Sequence, residues 1–410
     1  MQVTLIGGGM IANDQILPSL YHLQRTGKIG DIHICAVHSR SLRKLAEAEP
    51  FKAWFPGQSF TAHPSLEEPP DKEFPDLFKQ VISEMPPRNA VIIAIPDQLH
   101  YMAVKEALRH DQHVLCVKPL VLKYERAVEI EKKAFEKGLF VGVEYHKRFD
   151  RRALLAKGHC ESGHYGDFIT GEAKLIEPYL YRNSNFQNWF TCDQTDPFVY
   201  VGCHYWDMVT FITGLEPIEV SVRGVKRKFP NGKEGYMWAN GRIVYENGAI
   251  LSITNGLGYP DDGGGSNQQC LEMYFEGEGK TGYLKHNDQY RGVEYSFLEK
   301  IGAGGSHFNY VNPDYMRMIP WEGEGYKPVG YGYDSIEANI SAIARIGNRD
   351  LETRCQMIKE INEKGIIATP ANSKINELVT EAARLSILSE GFPVVIDYGD
   401  KPGVRFKKRE

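Results

Sequence analysis

Apolar runs alternate with amphipathic stretches along the first third of the chain. Residues 2–6 are strand-like and end in Gly7-Gly8-Gly9, and residues 10–24 carry a helical pattern. Further apolar runs at 32–37, 90–95, 113–117 and 139–143 predict strands, separated by helical patterns from residue 41 and at 78–85, 99–110 and 124–137. Continuous apolar runs of this length suit strands buried on both faces, as in parallel sheets. Strict β-α alternation through residue 145 predicts an α/β domain with a doubly wound parallel sheet. The Pro- and acid-rich stretch 67–76 interrupts it and reads as a surface loop.

The period changes after Gly166. Alternating polar and apolar positions at 218–228, 242–246, 249–255, 270–276 and 281–285 predict antiparallel strands. Asn231-Gly232 and Asn247-Gly248 are hairpin signals, because both central residues of a type I′ turn need positive φ. Helices are expected at 199–212, 335–346 and 375–389, and flexible loops at 256–265 and 302–305. The organisation expected is a dinucleotide-binding domain over 1–145 and an α+β domain over 146–410.

Composition narrows the function. The chain has 410 residues, 42% hydrophobic and 25% charged, with a net charge of -5. No long basic run suggests nucleic acid as a partner. No apolar stretch approaches the roughly 18 residues of a membrane span, and the start lacks a signal-peptide pattern. Seven scattered cysteines without a Cys-x-x-Cys fit a reducing cytoplasm. The 22 tyrosines and 40 glycines concentrate after residue 160. They suit flat hydroxylated ligands such as sugars, and equally suit hairpins and interfaces.

Five segments carry chemistry. Gly7-x-Gly9-x-x-Ala12 stands between a strand and a helix, as pyrophosphate binding requires: one glycine for the tight turn, one for close backbone approach, and a small residue for helix-sheet packing. The second strand is followed by Ser39-Arg40 instead of an acid. A guanidinium pairs with a 2′-phosphate, so NAD or NADP is expected with a lean to NADP. Ile95-Pro96-x-x-x-His100 follows a further strand. Lys118-Pro119 ends the strand 113–117, where burying an ammonium calls for a partner or a task. Gly202-x-His204-x-x-Asp207 opens the helix of the second domain. His159, Cys160 and His164 lack a further ligand cluster, and no metal is expected.

In order and spacing these segments resemble the glucose-fructose oxidoreductase / inositol dehydrogenase family (Gfo/Idh/MocA) of NAD(P)-dependent oxidoreductases. The resemblance extends to Ile375-Asn376-Glu377-Leu378 and to 393–397. It implies a Rossmann domain followed by an α+β domain with an open, mostly antiparallel sheet. It also implies a homodimer or homotetramer, and hydride transfer to or from a sugar, glycoside or cyclitol. The family's lysine maps to Lys118 and its acid/base histidine to His204. Two positions depart from the pattern: Val117 replaces the glutamate before the lysine, and Tyr200 stands where an aspartate precedes the histidine.

The expected cofactor-binding residues are Gly7, Gly9, Met10, Ile11, Ser39, Arg40, Ile95, Pro96, His100 and Lys118. Catalysis is assigned to Lys118, His204 and Tyr200. Histidine suits removal of a hydroxyl proton, and a lysine stabilises developing alkoxide charge. Substrate contacts are expected from Lys118, His146, Arg148, Trp189, His204 and Asp207. Read alone, His204 also suits a helix cap, Tyr200 and Trp189 core packing, Asp207 a structural role, and His146 and Arg148 a charged surface. A redox-assisted glycosidase with tightly held NAD, acting by transient C3 oxidation and elimination, is the alternative activity.

Overall fold

In the computed structural model the described residues are 1–261, 267–287, 294–297, 307–310 and 315–408. They form two units, one of Met1–Phe149 with Tyr315–Lys374 and one of Asp150–Asp314 with Ile375–Glu410.

The first unit is built on β1 (Val3–Ile6), β2 (Ile32–Cys35), β3 (Thr61–His63), β4 (Ala90–Ile93), β5 (His113–Val117) and β6 (Val141–Glu144). They lie in the order β3-β2-β1-β4-β5-β6, every pair parallel. All residues of β1, β4 and β6 are buried, as the unbroken apolar runs predicted. The helix after Gly9 begins as a wide π turn, Ala12–Ile16, before the regular helix Leu17–Arg25. Pro18 explains it: proline has no amide to donate, and its ring crowds the carbonyl four residues back.

The second unit carries β7 (Asp167–Pro178), β8 (Pro217–Lys228), β9 (Glu234–Tyr245), β10 (Ile250–Tyr259), β11 (Gln268–Gly277) and β12 (Lys280–Asn287). β13 (Glu294–Phe297) and β14 (His307–Tyr310) form an antiparallel pair. The chain then returns to the first unit with the hairpin β15 (Arg317–Pro320) and β16 (Tyr326–Val329). It ends in the second unit with β17 (Val394–Asp397) and β18 (Gly403–Phe406). The large sheet runs β12-β11-β7-β10-β9-β8-β17-β18. It is mostly antiparallel but mixed, because β7 and β10 pair in parallel. Both Asn-Gly hairpins form, but only their glycines have positive φ (Gly232 +84°, Gly248 +85°), so they are not type I′ turns; each glycine amide donates to the carbonyl three residues back, of Phe229 and Tyr245.

Two expectations are adjusted, and a third is not covered by the described residues. Residues 315–374, expected with the second domain, group with the first unit. The reason is visible in the helix Tyr331–Ile346, whose Ile336, Ile340, Ile343 and Ile346 join Ile16, Leu17 and Leu20 in one core. Residues 256–259, expected as loop, continue β10 because Trp238 lies across them. A Cβ on Gly256 or Gly258 would meet its indole at 2.3 or 2.4 Å. The expected loop at 302–305 falls outside the described residues.

Candidate active site

The glycine turn fits the pyrophosphate of a dinucleotide. Gly7 has φ +116°, its amide donates to the Cys35 carbonyl at 2.8 Å, and a Cβ there would lie 2.0 Å from the Ala94 carbonyl oxygen. Only glycine seats the end of β1 this closely against β4. A Cβ on Gly9 would meet nothing within 4 Å, so the backbone there faces open space. Met10 is exposed and Ile11 half-buried beside it. Burial pushes the Cys35 thiol up to about 12, which keeps this neighbour of the turn protonated and unreactive.

Ser39 and Arg40 are engaged elsewhere. Ser39 is fully buried and its hydroxyl donates to the Glu68 carbonyl at 2.8 Å. The Arg40 guanidinium pairs with Asp71, an exposed residue of the 67–76 loop. That loop therefore folds back onto the residues that were expected to receive a 2′-phosphate.

His100 is fully buried. Its Nδ1 lies 2.8 Å from the Pro119 carbonyl and its Nε2 2.8 Å from the Ile95 carbonyl. Expected at the cofactor, it instead braces the chain turns after β4 and β5, the turns that carry Ile95-Pro96 and Lys118-Pro119. Lys118 is half-buried, immediately beyond β5, and its peptide bond to Pro119 is cis.

At the end of β6 stands a cluster that sequence reasoning saw only in part. Glu144 is buried, and its Oε2 lies 2.8 Å from His146 Nδ1. Its Oε1 accepts from Gln15 Nε2 at 2.8 Å. Gln15 also donates to the Gly332 carbonyl at 2.9 Å and accepts from the Tyr315 hydroxyl at 2.8 Å. The His146 ring stacks on Tyr331 and tilts against Tyr315, with centroids 5.6 and 5.3 Å away. Glu144 was missed, although a carboxylate ending an otherwise apolar strand two residues before a histidine is a readable signal. Gln15, Tyr315 and Tyr331 come from distant parts of the chain and had none. Arg148 is buried, and Nη1 reaches the Gly365 carbonyl and Asn372 Oδ1, each at 3.2 Å. Those bonds tie chain segments together instead of presenting the guanidinium at a surface.

In the second unit Tyr200 lies on a π turn, Phe198–Gly202, that runs into the helix Cys203–Thr213 carrying His204 and Asp207. π turns are enriched at functional sites. The Tyr200 ring meets Phe186, Trp189 and Phe190 edge-on, with centroids 5.4, 5.4 and 5.5 Å apart. Tyr200 and Trp189 thus share one aromatic cluster with Trp238 and Leu257. Gly202 is needed for packing: a Cβ there would fall 2.5 Å from Asn255 Oδ1. His204 is buried, 5% exposed. Asp207 is also buried and accepts from Asn376 Nδ2 at 2.8 Å, which ties its helix to the helix Ile375–Leu388. That is the structural use of the late Ile375-Asn376-Glu377-Leu378 segment. Among the described residues no group of three or more His, Cys, Asp or Glu is arranged to hold a metal, and no helix is long and apolar enough to cross a membrane.

Comparison with known proteins follows the same division. Residues 1–145 match the model of an oxidoreductase family with an NAD-binding Rossmann fold. An uncharacterised oxidoreductase of Schizosaccharomyces pombe is 35% identical over 98 residues, 24% of this chain and 27% of that protein. An inositol 2-dehydrogenase of Corynebacterium glutamicum is 30% identical over 140 residues, 33% of this chain and 38% of that one. The alignments span roughly a quarter to a half of the length of the curated relatives. In fold, the apo scyllo-inositol dehydrogenase of Lactobacillus casei is similar at a TM-score of 0.63 and 15% identity, covering 96% of this chain and 98% of that one. A structure of that dehydrogenase with NAD(H) and scyllo-inositol bound superposes at 0.58. Residues 1–145 thus match the Rossmann-domain model of the oxidoreductase family that the motifs resemble, Gfo/Idh/MocA, and the remainder of the chain is similar to members of known structure in fold.

Proposed function

We propose that the protein is a nicotinamide-dependent dehydrogenase that moves hydride between the cofactor and a secondary alcohol carbon of a cyclitol or sugar. The observation that carries this reading is the glycine turn. Gly7 presses against β4 where no side chain fits, and Gly9 leaves its backbone open to a phosphate. The inositol dehydrogenases among the relatives support the substrate class.

NAD is the cofactor proposed. The Ser39 hydroxyl and the Arg40 guanidinium, which favoured NADP, are already held by the Glu68 carbonyl and Asp71. Lys118, at the carboxyl end of β5 where such sheets keep their ligands, is proposed to donate to the reacting oxygen and stabilise alkoxide charge. His204 is proposed as the group that takes the hydroxyl proton. Tyr200, four residues before His204, is proposed beside it, and Trp189, half-buried in the same aromatic cluster, is the proposed stacking surface for a ring.

The test is turnover of purified protein with NAD and a panel of cyclitols and pyranosides, read as reduced nicotinamide. The proposal expects at least one polyol to give sustained turnover that Lys118→Ala and His204→Ala each abolish. Silence across the panel, or full activity in both variants, overturns it.

A further inference from the structure

β3 is the edge strand of the first sheet, and only Thr61–His63 pair with β2. So short an edge strand is held by few bonds, and a single side-chain contact weighs in its balance. The register sets Thr61 opposite His33 and His63 opposite Cys35, which places both imidazoles on one face of the sheet. His33 Nδ1 and His63 Nε2 lie 2.9 Å apart. The ring planes are 15° from parallel with centroids 5.2 Å apart, so the rings meet at their edges, nitrogen to nitrogen. Both rings are half-buried.

We propose that this pair is a proton-sensitive latch, which closes β3 onto β2 while it holds at most one added proton and releases β3 and the loop after it when both imidazoles are protonated. A bond between two ring nitrogens has room for one hydrogen, which either ring can donate. The neutral pair meets this with one N–H and one lone pair. One added proton strengthens the bond, because an imidazolium then donates to a neutral imidazole. A second proton puts a hydrogen on both facing nitrogens. The bond is lost and two like charges stand in its place. The two rings therefore titrate as one coupled unit.

The surroundings add little charge of their own. The helix Leu77–Glu84 packs against both strands and carries Lys79, which is paired with Asp76, and Glu84, which accepts from Gln80. Thr4 of β1, beside His33, is uncharged, and Cys35 opposite His63 is held as a neutral thiol. The helix Ser39–Ala46 also packs against β3, but its Leu42 and Leu45 join the core. Of its cations, Lys44 is exposed, Arg40 pairs with Asp71, and Arg43 donates to the Glu68 carbonyl at 3.0 Å. Burial holds His63 below the ordinary imidazole range, with His33 acting in the same direction and Glu84 against it. The latch is thus closed above that range and opens as pH falls below it. The strand it holds leads into the loop over the end of β2. The His63 carbonyl accepts from the Ala36 amide at 2.8 Å, and beyond it the Phe74 amide donates to the Val37 carbonyl at 2.6 Å. Opening the latch loosens the segment that engages Ser39, Arg40 and Arg43.

The latch does not rest on the dehydrogenase reading, and its test uses the whole chain without added ligand. Amide hydrogen exchange is followed by mass spectrometry at about pH 7.5 and about pH 5, on either side of the ordinary imidazole value of 6.5, each rate corrected for intrinsic exchange. Protection over 61–76 is expected to fall at least about tenfold at the lower pH, the worth of one charge-assisted bond, while β1 keeps its protection. In His63→Gln, whose amide can donate to or accept from His33 without taking a charge, the drop should disappear. Equal protection at the two pH values overturns the latch. So does loss of protection in β1 alongside it, or an undiminished drop in His63→Gln. Where that variant does not fold, nitrogen-15 histidine labelling of the wild type decides. A coupling between the two facing nitrogens is expected at the higher pH and should vanish at the lower. No coupling at either pH, or a coupling that survives while 61–76 opens, overturns it.

Discussion

His100 Nδ1 lies 2.8 Å from the carbonyl oxygen of Pro119, one residue beyond Lys118. The other nitrogen of the ring meets the Ile95 carbonyl at the same distance, so one imidazole braces two strand ends. His100→Leu keeps the volume but removes both partners from buried carbonyls. It is expected to cost about 2 kcal/mol of stability, measured by chemical denaturation. It should lower kcat through Lys118 while leaving the NAD dissociation constant nearly unchanged, because His100 is fully buried and both of its ring nitrogens face backbone carbonyls.

The two glycines of the turn should respond oppositely. Gly7→Ala places a methyl group 2.0 Å from the Ala94 carbonyl at φ +116°, and is expected to destabilise by more than about 2 kcal/mol. Gly9→Ala meets nothing within 4 Å. It should leave stability within about 0.5 kcal/mol of the parent. It should also weaken NAD about tenfold, a cost of about 1.4 kcal/mol. Melting curves and NAD titrations of the two variants check the contrast.

Asp71 pairs with Arg40 on an exposed loop, so the pair itself contributes little to stability. Its proposed consequence is cofactor choice. Asp71→Ala frees the guanidinium for a 2′-phosphate and is expected to shift the NADP-to-NAD affinity ratio about fivefold toward NADP, the worth of roughly 1 kcal/mol. Titration of both cofactors against parent and variant measures it, and an unchanged ratio removes Asp71 from cofactor selection.

Acid should weaken the first unit through His113. Burial pushes this imidazole down to about 4, with Arg354 acting in the same direction, while the Phe140 amide donates to its Nδ1 at 2.9 Å. The unfolded chain binds a proton below pH 6.5 that the folded chain refuses. The contribution is therefore fully present above 6.5 and lost as pH falls toward about 4, by roughly 3 kcal/mol. His113→Asn, whose Oδ1 can accept from the Phe140 amide, should flatten that dependence in denaturation curves taken across this range.

Much of the first unit was legible because strands buried on both faces leave unbroken apolar runs, as Ala90–Ile93 and Val141–Glu144 do. The hairpins at Gly232 and Gly248 were legible because their backbone conformation is chemically restrictive. β7 was not singled out as a strand. Its exposed and buried residues do not alternate cleanly, Gly171 interrupts it, and its pairing with β11 shifts register at Tyr274/Phe275. The return of 315–374 to the first unit depends on long-range packing that no local pattern records. In the proposed site, Lys118 and His204 are placed by motif. A structural role was readable for Asp207, though not its partner Asn376; the use of His100 and Arg148 as internal ties was hidden, because their partners (backbone carbonyls, Asn372) are chosen by the fold.

The central claim is hydride transfer from a polyol carbon to nicotinamide. It is tested most directly with cyclitols and pyranosides carrying deuterium on the ring carbons, followed by mass analysis of the nicotinamide product. The account predicts reduced NAD carrying one deuterium, from at least one polyol, with formation lost in Lys118→Ala. Reduced cofactor without deuterium, or none from any polyol, would contradict it.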